Sequence, residues 1–283
     1  MKVAFVTDTG TGKSCEQWEK EGIFCLPLQL ECEGISYDEY QTITHEQVIQ
    51  KLHEKKIFRT SLPKLGYIQD LFETLKEQGY DTIFAIPICR GLSGCYDALE
   101  MIANQLDLTF IGVDCYVTAV VQTRMIQVAK QMIEQGHSLE ETKESVQTIA
   151  DSADTILMFK DLQHMKRGGR LTPAAAALAG LLKIVPICHI NKETGGKVDT
   201  LDKVRTWKKA QDKVIDYIIK KGMDASYTFI IAHVDCLEEA KEYKKRIEER
   251  ISDVQIQIID LVTAVGIHTG LGCLALQVFK NIK

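Results

Sequence analysis

Short apolar runs alternate with helical patterns along the whole chain, and this alternation restricts the folds that the chain can adopt. Each run has the length and composition of a buried strand, and helices between successive strands favour α/β architecture. The runs cover residues 2–7, 23–30, 82–88, 108–113, 155–159, 184–190, 227–234, 254–259 and 273–279. The sequence therefore predicts an α/β fold.

The length of the chain and one polar stretch bear on its domain organisation. A chain of 283 residues, 45% of them hydrophobic, can form one large or two ordinary domains with room for buried pockets. The stretch from Glu134 to Asp154 is predicted to hold a charged helix with few core residues, which favours a hinge there. We therefore expect two domains, residues 1–152 and residues 153–283.

Charge and cysteine content exclude several classes of function. The net charge is −5 and basic residues are scattered, so neither a nucleic-acid-binding surface nor a polybasic membrane anchor is expected. The nine cysteines form no Cys-x-x-Cys pair and lie in or beside apolar runs. They are expected to be the reduced, buried thiols of a cytoplasmic protein. The chain begins directly with a strand pattern, so export is not expected.

One stretch near the end of the chain is long enough to span a membrane. Residues Leu261 to Phe279 contain no Asp, Glu, Lys or Arg. The stretch also contains His268, two threonines and several glycines, a mixture that a loop leading into a strand at 273–279 explains better. We expect no integral membrane segment, and transient contact with a membrane is compatible with this expectation.

Three familiar site patterns are incomplete in this sequence. Residues 9–14 look like a phosphate-binding loop, but the first glycine of a Walker motif is replaced by Thr7. Residues 91–95 look like a hydrolase nucleophile elbow, but Cys95 stands where that motif requires glycine. The seven histidines form none of the closely spaced pairs that bind zinc, so no metal site is predicted.

A turn that contains Ser93 offers a site for an anion or a nucleophile. It lies between an apolar run and a helix predicted over 94–105. The start of a helix presents free N–H groups and the positive end of the helix dipole, which stabilise an anion. Thr60 and Ser61 are predicted to lie just before a second helix start, with Pro63 in its first turn.

Short polar motifs occur at the edges of apolar elements throughout the chain. They are Asp8-Thr9, Thr60-Ser61-Leu62-Pro63, Ser93-Gly94-Cys95-Tyr96, Lys166-Arg167-Gly168-Gly169-Arg170-Leu171 and Gly266-Ile267-His268-Thr269-Gly270-Leu271-Gly272. Each motif is weakly specific, but together and in this order they resemble the DegV family of bacterial fatty-acid-binding proteins. That family includes the FakB subunits of fatty acid kinase. The resemblance covers essentially the whole chain.

The resemblance implies a fold and a function. The fold has two α/β domains, the N-terminal one with a mainly parallel sheet and the C-terminal one with a mixed sheet, and an acyl tunnel at or near their junction. The protein would bind a long-chain fatty acid and present its carboxylate to a separate ATP-dependent fatty acid kinase for acyl-phosphate formation. It would itself have no catalytic residue, no metal and no cofactor, the fatty acid being its ligand.

The resemblance also implies which residues surround the carboxylate. The positions implied for carboxylate binding are Thr60, Ser61, Ser93, Gly94 and His268. Arg167 and Arg170 would form a polar mouth or a docking patch for the kinase. These arginines precede Thr172, which is expected to cap a helix of small residues over 174–180. A buried carboxylate requires hydrogen-bond donors in place of water, and His268 would add a charged donor near neutral pH.

Other uses of the same residues stay open. Ser93 would serve as an ordinary helix cap, and His268 as a structural residue in an apolar segment. A serine esterase would use Ser93 as its nucleophile and His268 or His233 as its base. Asp235 beside His233 is predicted to cap a helix with Glu238, which disfavours a catalytic acid there. A regulatory protein whose fatty acid ligand acts as a signal is a third possibility.

Overall fold

The computed structural model describes residues 2–178 and 184–281, except for the side chains of residues 162 and 163. In chain order, the elements of the N-terminal half are β1 (Val3–Asp8), α1 (Cys15–Glu19), β2 (Phe24–Leu26), β3 (Gln29–Cys32), β4 (Ile35–Asp38), α2 (His45–His53), β5 (Phe58–Ser61), α3 (Leu65–Glu77), β6 (Thr82–Ala85), α4 (Cys95–Gln105), β7 (Thr109–Gly112), α5 (Val120–Glu134) and α6 (Leu139–Ser152).

The second half alternates in the same way. Its elements are β8 (Asp154–Met158), α7 (Leu162–Gly168), α8 (Pro173–Leu178), β9 (Val185–Asn191), β10 (Asp199–Val204), α9 (Trp207–Lys220), β11 (Tyr227–His233), α10 (Leu237–Glu248), β12 (Ile256–Asp260), α11 (Thr263–Thr269) and β13 (Leu274–Lys280). The predicted α/β architecture is confirmed in both halves.

The N-terminal half is built on a four-stranded parallel sheet. Its strand order is β2-β1-β6-β7, and all three pairings are parallel. Strand β6 is buried along its whole length, as expected for a parallel strand covered on both faces. The prediction of a mainly parallel sheet is confirmed. Asp8 is the last residue of β1, and β6 leads into the loop that contains Ser93.

A small antiparallel sheet was not expected from the sequence. Strands β4, β3 and β5 form it, with β5 on an edge. The prediction that Thr60 and Ser61 lie just before a helix start is wrong, because they are the last two residues of β5 and residues 62–64 separate them from α3. Helix α3 begins at Leu65 after an N-cap at Lys64, so Pro63 lies outside its first turn. The polar sequence of β5 hid this edge strand.

The C-terminal half is built on a mixed six-stranded sheet. Its strand order is β10-β9-β8-β13-β11-β12, antiparallel except for the β11–β12 pair. The predicted mixed sheet is confirmed. Strand β10 was missed because it is a polar edge strand with no residue fully buried. Side chains on one face of the sheet pack against the N-terminal half, and those on the other pack against α9 and α10.

Helix predictions agree with the structure where an apolar stripe is continuous. Helix α4 buries Cys95, Ala98, Leu99, Ile102 and Ala103, which is the predicted stripe. The helix predicted over 174–180 is present as α8 up to residue 178, and its predicted end lies outside the described residues.

The expectation of few core residues between 134 and 154 is wrong. Helix α6 in this stretch buries Thr142, Val146, Ile149 and Ala150. Most of these side chains belong to a core that spans both halves of the chain. The change from one large sheet to the other falls between α6 and β8. The division into domains 1–152 and 153–283 stays a prediction.

The structure also bears on the cysteines and on the uncharged C-terminal stretch. All nine cysteines are free thiols, and seven of them are buried, whereas Cys15 and Cys25 are half-buried. The stretch from Leu261 to Phe279 forms α11 and most of β13. Within residues 2–178 and 184–281, no helix has the length and apolar character needed to cross a membrane.

Candidate ligand site

A pocket of about 450 Å³ brings together residues from four distant parts of the chain. Of the predicted site residues, Thr60, Ser61, Ser93, Arg170 and His268 line it. They come from the end of β5, the turn before α4, the loop after α7 and the last turn of α11. The rest of the lining is Leu28, Ile88, Leu92, Met165, Ala264 and Val265. The pocket therefore has one polar side and one apolar side.

Thr60 and His268 are in direct contact. The Thr60 hydroxyl and His268 Nε2 are 2.7 Å apart. Burial lowers the pKa of His268 to about 4, with smaller contributions from the nearby Arg170 and His164. Burial thus favours the neutral ring at neutral pH, and a charged His268 donor beside a bound carboxylate stays a prediction.

Arg170 supplies a cation at the pocket. Its Nε donates to the carbonyl oxygen of Leu92 at 3.2 Å, and Nη1 donates to the carbonyl oxygen of Gly168. Burial lowers the pKa of this guanidinium, but an arginine stays protonated in proteins. The two carbonyl groups hold the side chain between the turn before α4 and the loop after α7.

The glycines beside Arg170 have separate geometric roles. A Cβ on Gly168 would lie 2.4 Å from Nδ1 of His268, so a side chain there would displace the ring. Gly169 has a φ of 70°, a conformation that favours glycine. The motif of two glycines between Arg167 and Arg170 thus allows the loop to approach His268 and to turn.

Ser93 accepts a hydrogen bond from the first turn of α4 and lines the pocket. Its hydroxyl oxygen accepts a hydrogen bond from the N–H of Cys95 at 3.2 Å. Gly94 is the N-cap residue of α4 and does not line the pocket. A Cβ on Gly91 would lie 2.1 Å from the carbonyl oxygen of Gly196, so this turn packs closely against the turn between β9 and β10.

Arg167 lies in a second, outer cleft. This cleft, of about 970 Å³, shares Thr60, Arg170 and His268 with the pocket. Nη2 of Arg167 is 3.1 Å from Nδ1 of His164. The two predicted arginines therefore differ in position. Arg170 lines both the pocket and the outer cleft, whereas Arg167 lines only the outer cleft.

An apolar cavity adjoins the pocket. It has a volume of about 520 Å³ and shares Leu92, Met165 and Val265 with the pocket. Its other lining residues are Thr118, Ala119, Thr155, Leu157, Ile190, Val198, Ile230, Ala232, Ile259, Leu261, Thr269, Ala275 and Gln277. Residues from both halves of the chain enclose it. The two spaces place a polar lining beside an apolar one, which is the arrangement that a ligand with a polar head and a long apolar tail requires.

Sequence reasoning missed a buried carboxyl group that holds α11 in place. Oε1 of Glu39 accepts a hydrogen bond from the N–H of Ala264 at 2.6 Å, and Oε2 accepts one from the hydroxyl of Thr9. Glu39 is fully buried, and burial raises its pKa to about 8. The Tyr40 hydroxyl accepts a hydrogen bond from the N–H of Thr263. No motif marked Glu39 in the sequence.

Asp8 forms a second buried carboxyl site. Its oxygens accept hydrogen bonds from the N–H groups of Gly10 and Ile88 at 2.9 Å each and from the amide of Gln122 at 3.0 Å. Burial raises its pKa. The Asp8-Thr9 motif was a signal for these contacts, which join β1 to the segment that follows β6.

The arrangement of a serine esterase is not formed by the described residues. The Ser93 hydroxyl is hydrogen-bonded to a backbone N–H, and the ring of His268 to Thr60. His233 lies at the end of β11, 3.6 Å from Asp260, and does not line the pocket. The prediction that Asp235 caps α10 is wrong, because the N-cap residue is Cys236, and Oδ2 of Asp235 instead lies 2.6 Å from Nε2 of His53.

The fold and the pocket define an α/β protein with an apolar cavity lined by residues of both halves. A family model described as "Uncharacterised protein, DegV family" matches residues 2–281. A DegV domain-containing protein of Listeria innocua is 30% identical over 279 residues, which make up 97% of each chain. The chain therefore belongs to the DegV family.

Solved structures have the same fold. The fatty acid binding DegV family protein from Streptococcus agalactiae matches with a TM-score of 0.89 and 25% identity, over 100% of both chains. A stearic-acid-binding protein from Eubacterium ventriosum matches with a TM-score of 0.81 and 22% identity, over 99% of this chain and 98% of that one. The pairing of a parallel and a mixed sheet is thus the fold of DegV structures.

Proposed function

We propose that this protein binds one long-chain fatty acid, with the carboxylate in the pocket and the acyl chain in the apolar cavity. The observation that carries the proposal is that the two spaces are neighbours, sharing Leu92, Met165 and Val265 in their linings. Membership of a family whose solved Streptococcus agalactiae member is described as fatty acid binding supports the same ligand class.

The polar side of the pocket suits a carboxylate. The Arg170 guanidinium provides the positive charge, and the hydroxyls of Thr60 and Ser93 provide hydrogen bonds. A carboxylate placed near His268 favours the protonated ring and raises its pKa from the low value that burial produces. Binding would then be accompanied by uptake of a proton by His268, in addition to contact with Arg170.

The apolar cavity suits the tail. Each methylene group transferred from water to such a cavity contributes about 0.8 kcal/mol, so a long acyl chain supplies most of the affinity. The carboxylate contacts fix which end of the ligand faces the mouth.

The test is lipid analysis of the purified protein. Native mass spectrometry after addition of palmitate or stearate should show one bound acid per chain. The variants Thr60→Val and Ser93→Ala should weaken binding. Ser36→Ala is a matched control, because Ser36 is exposed on the same small sheet as Thr60 and away from the pocket. Absence of bound acid in the wild-type protein contradicts the proposal.

The finer part of the proposal is that the carboxylate is presented to a separate ATP-dependent kinase. A carboxylate oxygen attacks the γ-phosphorus of ATP, the bond from that phosphorus to its bridging oxygen breaks, and acyl phosphate and ADP are formed. The outer cleft supports this step, because it opens onto the residues around the carboxylate and carries Arg167.

Reconstitution separates this role from its alternatives. Incubation of the loaded protein with a bacterial fatty acid kinase and ATP should give acyl phosphate. Bound fatty acid without acyl phosphate would favour a regulatory protein. Labelling of Ser93 by a fluorophosphonate, with turnover of an acyl ester, would favour the esterase.

A further inference from the structure

The cavity lies on one face of the six-stranded sheet, and the strand register divides that face into rows. On β13, Ala275 and Gln277 line the cavity, whereas Leu276 between them packs against the helices on the other face. Ala275 is paired with Leu157 on β8 and Ala232 on β11, and all three line the cavity. Ile259 on β12 is paired with Ala232 and continues the row, and the two adjacent alanines leave room for a ligand between the larger side chains of Leu157 and Ile259.

The next row of lining residues is centred on Gln277. Gln277 is paired with Thr155 on one side and Ile230 on the other, and these three also line the cavity. The Gln277 row lies about 7 Å beyond the Ala275 row, because the two rows are two residues apart and a strand advances by about 3.3 Å per residue. Phe279, in the row after that, is buried in the core and is not part of the cavity lining.

The polar pocket adjoins the opposite end of the cavity. His268 and Thr269 belong to α11, which comes just before the start of β13 at Leu274. His268 lines the pocket and Thr269 lines the cavity. Along β13 the order is therefore pocket, then Ala275, then Gln277, and a tail that enters from the pocket meets Gln277 last.

The Gln277 side chain is held by three hydrogen bonds. Nε2 donates to the carbonyl oxygen of Thr118 and to the hydroxyl of Thr155, each at 2.9 Å. Oε1 accepts from the N–H of Val121 at 3.2 Å. Both amide protons are used, and the side chain is only 3% exposed. A methyl group cannot displace this side chain without leaving buried polar atoms unpaired.

We infer that Gln277 forms the closed end of the acyl cavity and sets the longest fatty acid that the protein accepts. This inference rests on the proposed function. A fatty acid whose chain ends before the Gln277 row fits in the cavity. The methyl end of a longer acid would contact the hydrogen-bonded side chain of Gln277.

The experiment is a competition between acids of different length. The purified protein is equilibrated with an equimolar series of even-numbered saturated fatty acids from lauric to arachidic, and the bound acids are extracted and quantified. With Gln277→Ala, the ratio of the next longer acid to the acid preferred by the wild-type protein should rise about tenfold. Leu276→Ala is the matched control, because it removes a large side chain from the same strand on the opposite face, and its bound profile should stay that of the wild type.

A second variant keeps the test decisive if Gln277→Ala does not fold. Ala275→Val moves the end of the cavity one row toward the pocket, and the ratio of the next shorter acid to the preferred acid should rise about tenfold. A wild-type profile in a folded, loaded Gln277→Ala protein overturns the inference, as does a wild-type profile in Ala275→Val. Failure of the wild-type protein to bind any acid in the series instead overturns the proposed function itself.

Discussion

Thr60 and His268 are 208 positions apart in the chain, yet the Thr60 hydroxyl and His268 Nε2 lie 2.7 Å apart at the pocket. The contact joins the edge strand of the small antiparallel sheet to the last turn of α11. Thr60 thereby orients the ring that burial keeps neutral, and it is itself one of the donors available to a bound carboxylate.

Removal of the Thr60 hydroxyl tests this double role. Thr60→Val keeps the shape of the side chain, and we expect the affinity for palmitate to fall about tenfold or more, because a hydrogen bond to a charged group contributes about 1.5–3 kcal/mol. Isothermal titration calorimetry gives the dissociation constant. An affinity equal to that of the Ser36→Ala control would show that Thr60 does not contact the carboxylate.

Gly168 is predicted to be required for the close approach of its loop to His268. A Cβ at this position lies 2.4 Å from Nδ1 of the ring, so Gly168→Ala should lower the free energy of unfolding by about 1–3 kcal/mol through overpacking and should weaken palmitate binding. Gly66→Ala is the control: Gly66 lies in α3 with open space around it, and alanine there should stabilise the helix by up to about 1 kcal/mol. Urea denaturation measures both changes. Equal stability of Gly168→Ala and the wild type would contradict the prediction.

The two arginines of the Arg-Gly-Gly-Arg motif should have separable effects. Arg170→Met removes the cation that lines the pocket, so we expect weaker binding of palmitate. Arg167→Met alters the outer cleft alone and should leave binding unchanged while it slows acyl-phosphate formation with the kinase. Calorimetry and a reconstituted kinase assay measure the two effects. Similar losses of affinity in both variants would show that the outer cleft also holds the carboxylate.

The buried Glu39 should make stability depend on pH. Its folded pKa is raised from 4.5 to about 8, so the folded protein binds a proton that the unfolded chain releases in this range. The free energy of unfolding should therefore fall as pH rises from 4.5 to 8, by up to about 1.4 kcal/mol per pH unit. The Glu39→Gln variant has no titratable group at this position, so its free energy of unfolding should fall less between pH 4.5 and 8. Urea denaturation at several pH values gives the free energy of unfolding of each protein as a function of pH. The same pH dependence in the wild type and in Glu39→Gln would refute the raised pKa of Glu39.

The sequence predicted the large elements because each has a continuous apolar pattern. Helix α4 and the central strands of both sheets were found in this way, since burial on one or both faces requires such patterns. Strands β5 and β10 were missed, because edge strands made of polar residues carry no such signal.

For the candidate site, the sequence predicted which residues lie together better than it predicted their local surroundings. Thr60, Ser93 and His268 belong to motifs that resemble a family, and the structure brings all three to one pocket. Their local setting was less predictable: Thr60 lies on a strand, and His268 is neutral, because burial and a neighbouring arginine arise from tertiary packing. Glu39 has no sequence signal, since its partners Thr9 and Ala264 are remote in the chain.

The wide separation of the pocket residues in the chain has a consequence for biosynthesis. Thr60 and Ser93 are made early, whereas His268 is made late and lies on a helix whose Ala264 and Ile267 pack in the core of the N-terminal half. A nascent chain still on the ribosome thus lacks one wall of the pocket until α11 has emerged. Under the proposed function, lipid loading would therefore follow translation, and a product truncated before α11 would lack His268 at its pocket.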